Sequence, residues 1–250
     1  MQKLIVFDLD NTLTKSKLPV DDEMSELFNK LIGIKKVAVI SGGSFKQIDK
    51  ELLFSLKFDS NLKNLHIFPT DGTAYFTWDN ENGKWQKIYQ ESLSDKEKIR
   101  IHDALSEVLK EINFDTSSAI GNLTEDKDSA ITFSGLGQDA DFKDKLKWDP
   151  EQKIRLEIKK LLDQKLNDFE IRIAGTTSID ITSKGMDKSY GIGKMVEYIK
   201  IPIDEMLFIG DSLFNGGNDN PVISTGVKTI SVKNPEETKE IIKDIINNNN

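Results

Sequence analysis

The chain of 250 residues contains no cysteine, which excludes disulfides, thiolate metal sites and a cysteine nucleophile and suits a reducing cytosol. Histidine occurs only at His66 and His102, too few for a histidine-based metal centre. No apolar run approaches the roughly 20 residues that a membrane-spanning helix needs. The first apolar run already begins at Leu4, so no secretory leader is expected. Positive charge is also scarce, with 34 Lys and Arg against 42 Asp and Glu and a net charge of −8. An acidic chain without a basic stripe argues against a nucleic-acid partner. The expectation is a cytoplasmic globular protein that binds neither membrane nor nucleic acid, with 37% hydrophobic residues to build its core.

What is present begins with Leu4-Ile-Val-Phe7, short, continuous and partly β-branched, which reads as a buried parallel strand. Asp8-Leu-Asp10-Asn-Thr12 follows at once. Side chains at i and i+2 of an extended segment point the same way. Asp8 and Asp10 can therefore address one centre at a strand's carboxyl end, where open α/β sheets bind ligands. An ionised Asp8 can attack phosphorus, and Asp10 can carry a proton to or from the leaving and entering oxygens. On its own the same run suits an ordinary turn, so the other segments decide.

Val37-Ala-Val-Ile40 is a second apolar run, and it ends in Ser41-Gly42-Gly43, whose hydroxyl and backbone N–H groups suit phosphate oxygens. Lys188 opens a helical pattern carried by Tyr190, Met195, Val196 and Ile199, where a cation can hold a carboxylate and a phosphoryl group together. Met206-Leu-Phe-Ile-Gly210-Asp211 delivers another acid at a strand end, with Asn218-Asp219 just beyond. Acids at two strand ends and a backbone carbonyl form an oxygen-rich site suited to Mg²⁺.

In this order the four segments resemble the motifs of the haloacid-dehalogenase-like phosphotransferase superfamily. They are most similar to its branch with a large inserted α/β cap, which includes sugar phosphatases and the eukaryotic-type phosphomannomutases. The stretches Val39-Ile-Ser-Gly-Gly-Ser44-Phe, Ile67-Phe-Pro-Thr-Asp-Gly72, Gly185-Met-Asp-Lys188 and Gly216-Gly-Asn218-Asp219 lean toward the mutases. The resemblance implies Asp8 as nucleophile, Asp10 as general acid/base, and Ser41, Gly42 and Lys188 around the phosphoryl group. It also implies Mg²⁺ on Asp8, Asp211 and the Asp10 carbonyl, supported from behind by Asn218 and Asp219.

The fold expected is α/β, a doubly wound, mostly parallel Rossmann-like core with an inserted α+β cap. Helical and strand periodicities place the core in residues 1–77 and 185–250 and the cap in 78–184. Asn82-Gly83 between Tyr75-Phe-Thr-Trp78 and Trp85-Gln-Lys-Ile-Tyr89 signals a hairpin with cross-strand Trp packing. Pro150 reads as the start of a helix. The resemblance puts substrate contacts on the cap at Lys127, Gln138, Ser178 and Asp180, with Lys17 following the first motif. Lys127 and Gln138 stand where the mutase pattern carries two arginines. An amide cannot supply the forked, charged donors of a guanidinium, so cap phosphate capture is expected to be weak. The expected activity is therefore Mg²⁺-dependent hydrolysis of a small phosphorylated metabolite, a hexose phosphate, through an aspartyl phosphate. A phosphomannomutase is the alternative, and a non-catalytic phosphosugar sensor stands third.

Overall fold

The computed structural model describes residues 2–248. The chain forms two compact units, one containing everything up to Gln90 and from Met186 onward, the other Glu91–Gly185. The first unit begins β1 (Leu4–Phe7), α1 (Asp22–Ile34), β2 (Lys36–Ile40), α2 (Phe45–Glu51), β3 (Leu65–Phe68), β4 (Ala74–Asp79) and β5 (Lys84–Gln90). The second contains α3 (Asp95–Glu111), β6 (Thr124–Asp126), β7 (Ala130–Ser134), α4 (Phe142–Trp148), α5 (Lys153–Lys165), β8 (Phe169–Ala174) and β9 (Ser178–Ser183). The first unit then resumes with α6 (Lys188–Ile199), β10 (Met206–Gly210), α7 (Asn220–Ile223), β11 (Lys228–Ser231) and α8 (Pro235–Asn247).

The first unit is built on a seven-stranded sheet in the order β11-β10-β1-β2-β3-β4-β5. Strands from β11 through β3 are parallel, and β4 and β5 continue antiparallel. Period-2 alternation splits the apolar strands between two cores. Ile5, Phe7, Val37 and Val39 face α1 and α8 residues such as Phe28 and Ile242, while Leu4, Val6, Ala38 and Ile40 face Ile192 and Met195 of α6. Burial on both faces is why these strands read as continuous apolar runs. The chain order reverses at β1, which lies between β10 and β2. Doubly wound sheets open a ligand crevice at such a point.

The hairpin forms with Trp78 opposite Trp85 and their rings 5.4 Å apart, but it belongs to the core sheet and not to the insertion. Phe76 stacks on Phe45 at 4.1 Å and Trp78 meets Phe58 at 5.6 Å, so aromatic packing fastens β4 beside β3. The division consequently falls at Gln90/Glu91, where the sequence had suggested residue 78, and returns at Gly185/Met186.

In the second unit a four-stranded antiparallel sheet, β6-β7-β9-β8, packs one face on α3 and α5 through Ile131, Phe133, Ile171, Ile179 and Ile181 against Leu105, Ile158 and Leu162. Ser94 starts α3 with a capping box to Glu97. Pro150 does not open a helix. The buried Asp149 carboxylate instead accepts from the Ile154 and Arg155 backbone N–H groups, and α5 begins at Lys153.

Candidate active site

The three strand ends β1, β2 and β10 deliver their polar residues to one place. Asp8 leaves β1 with its N–H donating to the Ile209 carbonyl at 3.0 Å, and its side chain is buried. Lys188 is fully buried and bridges two acids, with Nζ 2.5 Å from Asp8 Oδ1 and 2.6 Å from Asp219 Oδ1. The other Asp219 oxygen accepts from the Ser212 N–H at 3.0 Å, so both of its oxygens are engaged.

Local sequence explains these placements. Asp187 caps α6 by accepting from Ser189 and Tyr190 N–H, which fixes Lys188 in the first turn. The helix comes close because residue 191 is glycine: a Cβ there would lie 2.3 Å from Ile40 Cδ1 and 2.9 Å from the Asp71 carbonyl oxygen. Gly210 likewise leaves room for Asp219, since a Cβ at 210 would lie 2.4 Å from its Oδ2.

Burial raises the Asp8 carboxyl to about 8, with Asp219 and Asp10 adding to the rise and Lys188 opposing it. Burial also works against the charge on Lys188, but Asp219, Asp8 and Asp71 outweigh it and the ammonium holds its proton more tightly than usual. Asp211 is raised by burial and by Asp219. A low-dielectric site with more carboxylate than ammonium charge favours a cation. Asp8, Asp211 and Asp219 can each offer an oxygen, all within 4.8 Å of one another. An all-oxygen donor set fits Mg²⁺, and Asp219, already committed to Lys188 and Ser212, suits a supporting place behind Asp8 and Asp211. Asn218 is exposed.

Ser41 is buried, and its Oγ accepts from the Gly43 N–H at 3.0 Å, which orients the hydroxyl and leaves its proton to donate. Asp10 is half-buried and tied to Lys17: its Oδ1 accepts the Lys17 N–H at 3.1 Å, and the ammonium lies 3.6 Å from Oδ2. Lys17, expected to meet substrate, is thus an ion-pair partner of Asp10 in this structure.

The sequence reading assigns Asp71 no role of its own beyond its place in the stretch Ile67-Phe-Pro-Thr-Asp-Gly72. Thr70 and Asp71 both adopt positive φ, 49° and 57°, a strained pair of the kind that persists at functional sites. The Thr70 N–H donates to the Gly43 carbonyl and the Asp71 N–H to the Ser41 carbonyl, both at 2.9 Å. The Asp71 Oδ1 lies 3.6 Å from where a Gly42 Cβ would be, and its charge helps Lys188 hold its proton. Only the pairing of β2 with β3 brings it there.

In the second unit, Lys127 and Asp180 do meet, at 3.6 Å, and Thr132 Oγ1 donates to the same Asp180 oxygen. Ser178 is half-exposed and pairs in register with Ser134. Gln138 lies past the end of β7, where its carbonyl accepts from Lys145 Nζ at 2.7 Å and its side-chain nitrogen is buried without a partner among the described residues. No helix among the described residues is long and apolar enough to cross a membrane.

A family model described as eukaryotic phosphomannomutase matches residues 24–248. The chain is 23% identical over 257 residues to a probable phosphomannomutase of Caenorhabditis elegans, covering 97% of this chain and 95% of that protein. It is 26% identical over 261 residues to phosphomannomutase 2 of Dictyostelium discoideum, covering 96% and 95%. Among solved structures, it is similar to Plasmodium falciparum IMP-nucleotidase with IMP bound, at a TM-score of 0.69 and 19% identity over 98% of this chain and 68% of that one. A trehalose-6-phosphate phosphatase related protein superposes at 0.55 with 16% identity, covering 97% and 96%. These structural likenesses establish the fold.

Proposed function

The chain belongs to the eukaryotic phosphomannomutase family, and from that premise we propose that it is a Mg²⁺-dependent phosphomannomutase interconverting mannose 1-phosphate and mannose 6-phosphate. The observation that carries isomerisation over the hydrolysis favoured by sequence is the match along nearly its whole length with proteins named phosphomannomutase. The same core chemistry serves either outcome. Asp8 attacks the phosphorus in line while Asp10 protonates the departing sugar oxygen. Lys188, clamped by Asp219, keeps its ammonium between Asp8 and the phosphoryl oxygens, and Ser41 with the Gly42 N–H donates to those oxygens. Asp10, now a base, then takes the proton of the attacking sugar hydroxyl as the phosphoryl group leaves Asp8. Held by Asp8, Asp211 and the Asp10 carbonyl, Mg²⁺ would neutralise developing charge on the phosphoryl group. The second unit acts as a cap that selects the sugar, through Lys127, Ser178 and Asp180.

The test follows mannose 1-phosphate in the presence of Mg²⁺ and a hexose 1,6-bisphosphate by phosphorus NMR. Mannose 6-phosphate should appear faster than inorganic phosphate. The reverse order would restore the phosphohydrolase reading, and no turnover of any phosphosugar would leave the sensor.

A further inference from the structure

The end of β5 departs from the alternation of its own strand. Trp85 and Lys87 stand opposite Trp78 and Phe76, and Trp85 and Phe76 pack on the core that holds Phe28 and Ile242. Strict period-2 alternation would put Tyr89 on that face as well. The ladder instead carries one extra residue, Ile88, and Tyr89 lies opposite Tyr75, on the other face with Ile192 and Met195 of α6. A bulge re-aims the side chain that follows it, and bulges are over-represented next to active sites. Once turned, Tyr89 is held by α6. Its ring centroid lies 4.8 Å from that of Tyr198 and 5.4 Å from Lys194 Nζ, a ring contact and a cation–π contact. Its hydroxyl donates to the Gly72 carbonyl at 2.6 Å.

That carbonyl ends a strained loop. Thr70, Asp71 and Gly72 have φ of 49°, 57° and 90°, and such a run persists only where its surroundings over-determine it. Two backbone bonds do so at one end, from the Thr70 N–H to the Gly43 carbonyl and from the Asp71 N–H to the Ser41 carbonyl. They flank Gly42, whose N–H faces the phosphoryl group in the proposed reaction. The Tyr89 hydroxyl holds the other end, at a buried Gly72 whose carbonyl would be costly to leave unpaired. Gly72 also abuts α6, since a Cβ on it would lie 2.3 Å from Gly191 Cα, within one turn of Lys188. One short loop therefore meets both the Ser41–Gly43 segment and the helix that carries Lys188.

We propose that Tyr89 is a positioning residue for phosphoryl transfer: through Gly72 its hydroxyl holds Thr70 and Asp71 in the conformation that sets the Ser41 hydroxyl and the Gly42 N–H against the phosphoryl oxygens. Tyr89 acts on no reacting atom and works by denying the loop its freedom, since donors misplaced by a fraction of an ångström lose much of their effect. Its role rests on the phosphoryl transfer assigned to Asp8, but the hydroxyl can be tested apart from it.

The experiment uses the whole Mg²⁺-loaded chain with Tyr89→Phe, which keeps the ring and removes the hydroxyl, beside Lys194→Met, which withdraws the cation from the rings and leaves the hydroxyl bond. Tyr89→Phe should lower kcat for mannose 1-phosphate about 10- to 100-fold, the order of effect of misplacing a reacting partner by about 1 Å. The Mg²⁺ concentration for half-maximal activity, set by ligands on β1 and β10, should move by less than about twofold, and Lys194→Met should change kcat by less than about threefold. An unaltered kcat in Tyr89→Phe overturns the proposal. A parallel rise in the Mg²⁺ requirement, or an equal loss in Lys194→Met, also overturns it, because either marks general loosening of the aromatic cluster. If the native chain transfers no phosphoryl group, the reading of its function fails, and beryllium trifluoride, which takes the place of a phosphoryl group on Asp8, decides Tyr89 by fluorine NMR titration with Mg²⁺. Affinity at least about tenfold weaker in Tyr89→Phe supports the role, and a smaller change, or no binding by the native chain, overturns it.

Discussion

Replacing Lys188 by methionine, which nearly conserves length and volume, isolates the charge at the centre of the site. Its two contacts, at 2.5 and 2.6 Å, are each worth about 6 kcal/mol at an effective dielectric constant of about 20. Most of that attraction offsets the desolvation of the groups concerned. What remains measurable when a buried partner is left unpaired is about 3–5 kcal/mol. For a chain of this size that is a fall in Tm of about 6–20 °C. The assay is thermal and urea unfolding in EDTA, so that no cation substitutes for the ammonium, followed by Trp fluorescence to which Trp78 and Trp85 of this unit contribute. The loss should be greatest at pH 8 and shrink toward pH 4. Without Lys188, whose charge opposes the burial-driven rise of Asp8, the Asp8 carboxyl stands still further above its unfolded pKa. Such groups destabilise once pH exceeds the unfolded value of about 3.9 and do not below it. A loss under about 1 kcal/mol at pH 8, or one that does not diminish in acid, would refute the reasoning that Lys188 is what makes two buried acids tolerable.

Asp8→Asn should abolish turnover and Asp10→Asn should lower kcat by about 10²–10⁴-fold, the span of general acid–base catalysis, measured by steady-state kinetics with protein concentration matched. Asp211→Asn should raise the Mg²⁺ concentration for half-maximal activity at least about tenfold, in the range seen when support for a metal is removed, and an unchanged requirement removes Asp211 from the ligand set. Glu51, buried with Oε2 unpartnered among the described residues, is raised to about 7 by burial and by Asp10. Its folded pKa exceeds its unfolded one, so it costs stability as pH rises from about 4.5 through 7, and Glu51→Gln should stabilise by about 1–2 kcal/mol at pH 8 and not at pH 4 in urea melts. Gly72→Ala should destabilise by at least about 2 kcal/mol, because φ is +90° and the new Cβ would lie 2.3 Å from Gly191 Cα; a neutral effect in thermal melts would show that α6 can retreat.

The convergence of polar residues at the core's edge was legible in the sequence because it is local. Each of Asp8, Ser41 and Asp211 follows directly on an apolar strand, and Lys188 opens an amphipathic helix. Parallel strands side by side can only bring such residues to one edge. Residue order along the chain thus implied the doubly wound core and the polar residues that its strand ends would bring to one edge. What tertiary structure decided depends on which strand lies beside which. Aromatic packing of Phe45 and Phe58 on β4 places the hairpin in the core sheet and moves the division between the units. The pairing of β2 with β3 brings Asp71, strained and distant in sequence, beside Gly42. The bulge that turns Tyr89 toward α6 exists only in the pairing of β4 with β5. A single strand's pattern reveals which residues alternate, but the neighbours a side chain meets belong to another strand, and only the folded sheet names them.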